Sequence, residues 1–310
     1  MYALFRKELA DHLDSLRFII IFILAMAIAG VSLYSALGGL QNAVGSDGSH
    51  FVFLRLFVTS SGSIPSFVFF IALVGPLIGL ILGFDAINSE KNAGTLNRLL
   101  AQPIHRDDVI NGKFLAGVVV VAIIVVSMAL LVCGVGLFRI GIPPTGEEVM
   151  RLIVFLFFTI VYISFWLGLA ILLSVVSRHA ATSALSVVAI WLVFAFFISL
   201  IAAGLAGALF PPDTLEMAEK YATFQQEFSR ISPSVLYSEA VGTILDPTIR
   251  TLGVTSLAQI EQLYVAVVGV LPLGQSLLLV WPHLIGMIAE MLASFVIAYI
   301  IFMKQEIRGA

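Results

Sequence analysis

The sequence predicts an all-α integral membrane protein with six transmembrane helices, an N-terminal interfacial helix and a cytoplasmic helix between the second and third spans. Hydrophobic residues make up 60% of the chain and charged residues 11%, against roughly a quarter charged in an average soluble domain. Six apolar runs are each long enough to cross a bilayer, which takes about 20 residues. The remaining charge is concentrated in short segments between those runs.

Residues 1–17 place apolar side chains, among them Leu4 and Leu9, along one helical face and charged side chains largely on the other. This pattern is typical of an interfacial amphipathic helix. The apolar run at 18–37 is too long for the hydrophobic core of an ordinary secretory signal. It therefore predicts a first span that stays in the protein, with the N-terminus in the cytoplasm.

Residues 41–62 are rich in Gly and Ser, which predicts a loop on the far side of the membrane. The second span, 64–84, contains Pro76 between Gly75 and Gly79, and this predicts a kink or a close helix contact. Residues 85–113 then return to the cytoplasm and hold the densest cluster of charges of both signs. Asp107 is the candidate cap of the helix that becomes the third span, 114–138.

Three residues separate the fourth span, 152–176, from the fifth, 180–210, so these two spans form a hairpin. Residues 211–275 form an extracytoplasmic helical region, and the last span covers 276–303. Within that region 263–273 is apolar but too short to cross a bilayer, which indicates a re-entrant or interfacial piece.

The basic residues fix the predicted orientation. In this six-span arrangement most of the 16 Lys and Arg residues fall on the side of both chain ends. Since cytoplasmic loops carry the excess of basic residues, both termini are expected in the cytoplasm and the chain in the cytoplasmic (inner) membrane.

The polar segment 89–113 contains one short amphipathic helix. Leu96, Leu99 and Leu100 lie on one side of that helix, Arg98 lies on the other, and Pro103 ends it. A helix tethered at both ends to membrane spans is suited to exchange force with a soluble partner.

This segment resembles the hallmark of the type-2 ABC exporter permeases, which has an acidic residue, Gly-Thr-Leu, paired leucines, a proline, and Gly-Lys opening the next helix. The matching positions are Glu90, Gly94, Thr95, Leu96, Leu99, Leu100, Pro103, Gly112 and Lys113. Arg6-Lys7-Glu8-Leu9 near the N-terminus and the six-span layout fit the same family. Phe84-Asp85-Ala86-Ile87, and Ser232-Pro233 followed by Tyr237, are most similar to permeases of nitrous oxide reductase maturation and gliding motility.

The resemblance implies a non-enzymatic membrane subunit that pairs with a second copy or a paralogue and binds two cytoplasmic ATPase subunits. Each ATPase would grip one coupling helix, with Leu96, Leu99 and Leu100 in its groove and Arg98 and Glu90 at the rim. The alternative is that these leucines only rest on lipid headgroups. The chain has no G-x-x-x-x-G-K-[ST] loop, so ATP and Mg²⁺ are expected in the partner and no cofactor in this chain.

Glu290 is the ionisable residue expected deep in a span. Together with Met287 and Met291 it is a candidate for the translocation path, or it hydrogen-bonds to a neighbouring span. The thioethers of Met287 and Met291 and the imidazole of His283 are ligand types that suit copper. Methionine is also common in helix interfaces, where it fills irregular gaps. We therefore predict no metal site.

Two further questions stay open in the sequence. The acidic residues of the 211–275 region suit an outer gate, a docking surface for an accessory protein, or a solvated spacer. An intramembrane enzyme and an ATP-independent carrier or channel are the rival classes. The first would need a nucleophile with a base inside the spans, and the second would show internal repeats. Membrane lipids are expected neighbours, and nucleic acid is not.

Overall fold

The computed structural model describes residues 2–43, 51–60, 64–94, 105–252 and 270–305, and these ranges are all-helical, without a strand. Within these ranges, six helices are long and apolar enough to cross a membrane, as predicted. The helices in order are α1 (Tyr2–Leu13), α2 (Leu16–Ala43), α3 (Val52–Val58), α4 (Phe67–Gly83), α5 (Asn88–Asn92), α6 (Arg106–Ile140), α7 (Gly146–Val176), α8 (Ala180–Leu192), a π-helical turn (Val193–Phe197), α9 (Ile198–Leu209), α10 (Leu215–Ser229), α11 (Pro233–Leu245) and α12 (Leu273–Lys304). The spans are α2, α4, α6, α7, the continuous run α8 to α9, and α12.

The third and fourth spans begin earlier than the apolar runs that predict them. The helix of the third span starts at Arg106 instead of 114, and that of the fourth at Gly146 instead of 152. Polar residues favour these first turns. Thr145 and Glu148 form a reciprocal capping box at the start of α7. The prediction that Asp107 caps α6 is wrong, because His105 occupies the cap position and Asp107 lies in the first turn, where a carboxylate complements the helix dipole.

The fourth span, α7, is the central helix, with Phe155, Tyr162 and Trp166 fully buried. The second span packs directly on its backbone. A Cβ placed on Gly79 would lie 2.7 Å from the Ile163 carbonyl oxygen. The close helix contact predicted around Pro76 is therefore present, and glycine makes it possible.

The predicted far-side loop at 41–62 contains a short buried helix. In α3 the side chains of Phe53, Leu54, Leu56 and Phe57 are almost completely excluded from solvent. The Gly and Ser residues around it conceal its apolar pattern, and seven residues are too few to show a helical period in the sequence. This half of the loop is thus part of the core.

The region predicted at 211–275 also enters the bundle. Leu236, Tyr237, Ala240, Val241 and Ile244 of α11 are all buried. Ser232 Oγ at its start donates to the Phe194 carbonyl in the π-helical turn, in the middle of the fifth span, at 2.9 Å. From there α11 runs outward, so it is a re-entrant helix. Most of the predicted re-entrant piece, 263–273, lies outside the described residues, and its end forms the start of α12.

The bundle has two ends, which we call the terminal face and the opposite face. The terminal face carries α1, α5, the start of α6 and the ends of α7 and α12. The opposite face carries α3, the start of α7, the end of α11 and the start of α12. Aliphatic and aromatic side chains fill the space between them.

Replacing Gly79 by Ala is expected to lower the free energy of unfolding by about 1–3 kcal/mol, because the added methyl meets backbone atoms that cannot rotate away. Thermal unfolding of the detergent-purified protein measures this. Gly134→Ala is the matched control, since a Cβ there meets nothing within 4 Å. Equal midpoints for the two variants would contradict a tight α4–α7 contact.

Candidate functional site

Lys113, near the start of α6, forms buried ion pairs with two other helices. Its Nζ lies 2.9 Å from Glu8 Oε2 in α1 and 2.8 Å from Glu90 Oε1 in α5, and only 6% of the Lys113 side chain is exposed. A buried ammonium group is costly unless it is paired, so these two carboxylates are what allow it there. We call these three residues the Lys113 clasp.

The clasp depends on a close approach of α1 to α6. Gly112 faces Leu4 of α1, and a Cβ on Gly112 would lie 3.4 Å from Leu4 Cδ2. Lys7 Nζ adds a second cation 3.1 Å from Glu8 Oε1. Burial raises the pKa of the Glu8 carboxyl, but the ion pairs with Lys113 and Lys7 outweigh burial and hold that pKa below its ordinary value.

The short helix α5 is tied to the end of the fourth span. The backbone N–H groups of Ile87 and Asn88 donate to Ser174 Oγ at 3.0 and 3.2 Å. Asn92 Nδ2 donates to the Arg178 carbonyl, in the turn between the fourth and fifth spans, at 3.2 Å. The segment that leaves the second span is therefore held by the end of the fourth span and by the turn that follows it.

Further polar contacts join the remaining helix ends of the terminal face. Arg17 at the start of α2 pairs with Asp85 after α4. Arg106 Nη2 donates to the Gln305 carbonyl at 3.2 Å, and Gln305 Nε2 donates to the Val175 carbonyl at 2.9 Å. Among the described residues, the ends of the first, second, third, fourth and sixth spans thus meet in one connected polar layer at this face.

The coupling residues predicted from the sequence are placed in part. The structure brings Glu90 and Lys113 together. Gly94 has φ +67°, a left-handed conformation that glycine adopts without strain, and it turns the chain out of α5. Thr95, Leu96, Arg98, Leu99, Leu100 and Pro103 lie outside the described residues, so their role remains a prediction.

The candidate path residues lie in the middle of the sixth span. Met287 is fully buried, Met291 is partly buried against the core, and Glu290 is partly exposed beside them. His283, one turn before Met287, is occupied elsewhere, because its Nε2 lies 2.7 Å from Glu239 Oε2 in α11. Within the described ranges no three His, Cys, Asp or Glu side chains form a metal-binding group.

Glu239 joins α10, α11 and the sixth span. Besides His283, it accepts hydrogen bonds from Arg230 Nε and Gln226 Nε2, each at 2.9 Å. Burial raises the pKa of the Glu239 carboxyl, but the hydrogen bonds from His283, Gln226 and Arg230 outweigh it and lower that pKa to about 2. Glu239 thus holds α10 and the sixth span against α11.

Arg151 performs a comparable role at the opposite face. Its guanidinium is completely buried and donates to Glu147 Oε1 at 2.9 Å, to the Ile244 carbonyl at 2.7 Å and to Ser276 Oγ at 3.3 Å. It also donates to the Leu271 carbonyl. One side chain thus joins the start of α7, the end of α11 and the start of α12.

Sequence reasoning missed two of these residues. Glu8 was expected on the solvated face of α1, yet it lies one turn after Leu4 and therefore shares the buried face of that helix. Arg151 lies just before the predicted start of the fourth span at 152, so the sequence did not single it out. A lone arginine one turn into an otherwise apolar helix, with Glu147 four residues before it, was the available signal.

Six apolar helices, with polar layers that tie their ends together at both faces, define a multi-pass α-helical membrane protein. The described ends of the segment between the second and third spans are anchored to α1 and to the end of the fourth span. The chain belongs to the ABC-2 family of transporter proteins, whose model matches residues 2–307.

Two relatives carry the name "Probable ABC transporter permease protein NosY". The protein from Stutzerimonas stutzeri is 33% identical over 140 residues, covering 43% of this chain and 46% of the relative. That from Pseudomonas aeruginosa is 33% identical over 124 residues, covering 40% of each. The chain thus spans less than half the length of the curated relatives it matches.

Replacing Lys113 by Met is expected to lower the free energy of unfolding by about 3–5 kcal/mol, because it removes the cation that the buried Glu8 carboxylate shares with Glu90 and leaves Glu8 only its contact with the half-exposed Lys7. Chemical unfolding in detergent measures this. Lys220→Met is the control, because Lys220 pairs with Glu216 on the surface, with side chains 49% and 76% exposed, and should show no measurable change. Similar stability of the two variants would refute the buried clasp.

Proposed function

We propose that this chain is the membrane subunit of an ATP-driven exporter of the ABC class. It lies in the cytoplasmic membrane with both termini in the cytoplasm and works as a dimer with a second copy or a paralogue. Separate cytoplasmic ATPase subunits bind the segment 85–113 and supply the energy. The subunit itself holds no nucleotide.

The Lys113 clasp is the observation that carries this proposal. The ion pair between Glu90 and Lys113 joins the helix before residues 95–104 to the helix after them, so it closes the base of that segment. Glu8 adds the N-terminal helix to the same base. A partner that grips the segment therefore acts on α1, α5 and the third span at once.

The connected polar layer supports the same reading. A force on α5 reaches the end of the fourth span through Ser174, and a force on the start of α6 reaches the sixth span through Arg106 and Gln305. The similarity to proteins named as ABC transporter permeases, together with the family's acidic, Gly-Thr-Leu and Gly-Lys pattern, makes an ABC ATPase the expected partner.

The opposite face supplies the elements for an outer gate. The re-entrant helix α11 fills the outer half of the bundle, where its Tyr237 ring stacks on Tyr162 of the fourth span at 4.4 Å. Alternating access would require these stacked rings to separate. Among the described residues of this region, we propose that the acidic surface of α10 meets an accessory protein.

Affinity purification of the tagged chain from native membranes tests the proposal. An ABC ATPase subunit, identified by its phosphate-binding loop in mass spectrometry, should co-purify. Leu99→Asp should abolish that co-purification and the transport-coupled ATPase activity, because it places a charge on the apolar contact, while membrane insertion and dimerisation stay intact.

Leu215→Asp is the matched control, since Leu215 is 78% exposed on α10 at the other side of the protein. It should retain the ATPase fully. If Leu99→Asp prevented insertion, the leucines would belong to the fold instead of the interface. Ion conduction by the purified chain without any ATPase would contradict the exporter assignment.

A further inference from the structure

The fourth and sixth spans run parallel in one register. At the opposite face Arg151 Nη1 lies 3.3 Å from Ser276 Oγ, a pair 125 residues apart in sequence. Nearer the terminal face a Cβ on Gly168 would lie 2.8 Å from Ser294 Oγ and 3.7 Å from the Met291 carbonyl oxygen. The sequence offset is 125 at the first contact and 123 to 126 at the second, so residue 164 is level with the stretch from Met287 to Glu290.

Two buried oxygen atoms at this level have no hydrogen-bond partner among the residues that the structure describes. One is Ser164 Oγ, on a side chain that is 1% exposed, and the other is Glu290 Oε2. Ser164 precedes Gly168 by one helical turn, so it shares the side of α7 that faces α12. Glu290 lies roughly midway between Leu273 and Lys304.

Such atoms are expensive in a membrane. Other buried hydroxyls nearby do find partners: Thr159 Oγ1 bonds to the Phe155 carbonyl, and Ser294 Oγ to the Met291 carbonyl. An unpartnered hydroxyl and an unpartnered carboxyl oxygen at one depth indicate a site that is completed by another molecule.

The surroundings define what that molecule can be. Apolar side chains border this level, with Met287 buried beside it and Phe114 stacked on Phe295 at 4.3 Å one turn towards the terminal face. A carboxylate accepts hydrogen bonds and attracts a cation, and a hydroxyl can accept a further bond. The matching ligand is therefore apolar with a single positively charged donor.

We propose that Ser164 and Glu290 form a mid-membrane binding point for the transported molecule, and that they take the protonated amine of an otherwise apolar compound. This inference rests on the proposed transport function and names its substrate class. Glu290 contacts the ammonium group, and Ser164 accepts one of its N–H bonds.

Fluorescence titration of the detergent-purified full chain with dansylcadaverine, an apolar fluorophore with a primary amine, tests this. Binding should saturate, and the N-acetylated probe, which lacks the charge, should bind at least about tenfold more weakly. Glu290→Gln should weaken binding of the amine by a similar factor, and Ser164→Ala by about threefold to tenfold.

Two matched variants control for general effects. Ser183→Ala removes another buried hydroxyl without a partner among the described residues, but on the fifth span. Glu219→Gln removes a carboxylate from α10, outside the spans. Both should bind dansylcadaverine like the unaltered protein.

Equal binding of the amine and its acetylated form, or unchanged binding by Glu290→Gln, would overturn the proposal. So would a loss of dimer in Glu290→Gln without any amine binding, because Glu290 would then be a contact between two copies. The titration needs no ATPase. If the chain co-purified with an ATPase but did not bind the amine, only this inference would be rejected. If it bound the amine but did not co-purify with an ATPase, only the exporter assignment would be rejected.

Discussion

A single buried ammonium group organises the terminal face. Lys113 cannot be withdrawn from water alone, and a single carboxylate would leave one or two of its three N–H donors unsatisfied. Glu8 and Glu90 come from helices that are distant in sequence, so the requirement to pair Lys113 also sets where α1 and α5 lie. The placement of the segment that enters and leaves residues 95–104 therefore follows from one local electrostatic demand.

At each face of the bundle one buried cation joins several helix ends, whereas the middle contains close helix contacts instead. Arg151 gathers the start of the fourth span, the end of α11 and the start of the sixth span, much as Lys113 gathers helices at the terminal face. Between them, packing is set by glycines such as Gly79 and Gly168, which bring helices into contact at backbone distance. Close packing resists bending, whereas hydrogen bonds at helix ends can be exchanged. The faces are thus the places where this fold can change its contacts.

The sequence predicted the spans well because six apolar runs dominate the pattern at bilayer length. It also placed Glu90 and Lys113 in the same polar segment between the second and third spans. It could not predict that they bond to each other, or that Glu8 joins them, because these pairings depend on the angle at which α1 crosses α6 at Gly112. Spacing along one helix carries no information on such an angle.

The misjudged regions, α3 and α11, share one physical cause. Each is short and sits among polar residues, so its apolar side chains do not form a long run, and hydropathy assigns them to the surface. Both are buried because the long spans around them leave room that only short elements can fill.

The contacts of Tyr237 and Leu236 show how deep α11 reaches. The Tyr237 ring stacks on Tyr162, and its hydroxyl lies 3.0 Å from Thr159 Oγ1. Leu236 would lie 3.2 Å from a Cβ on Gly286 of the sixth span. The start of α11 thus reaches the depth of Tyr162, half a turn from Ser164. A molecule held at Ser164 and Glu290 would meet this helix before it reached the opposite face.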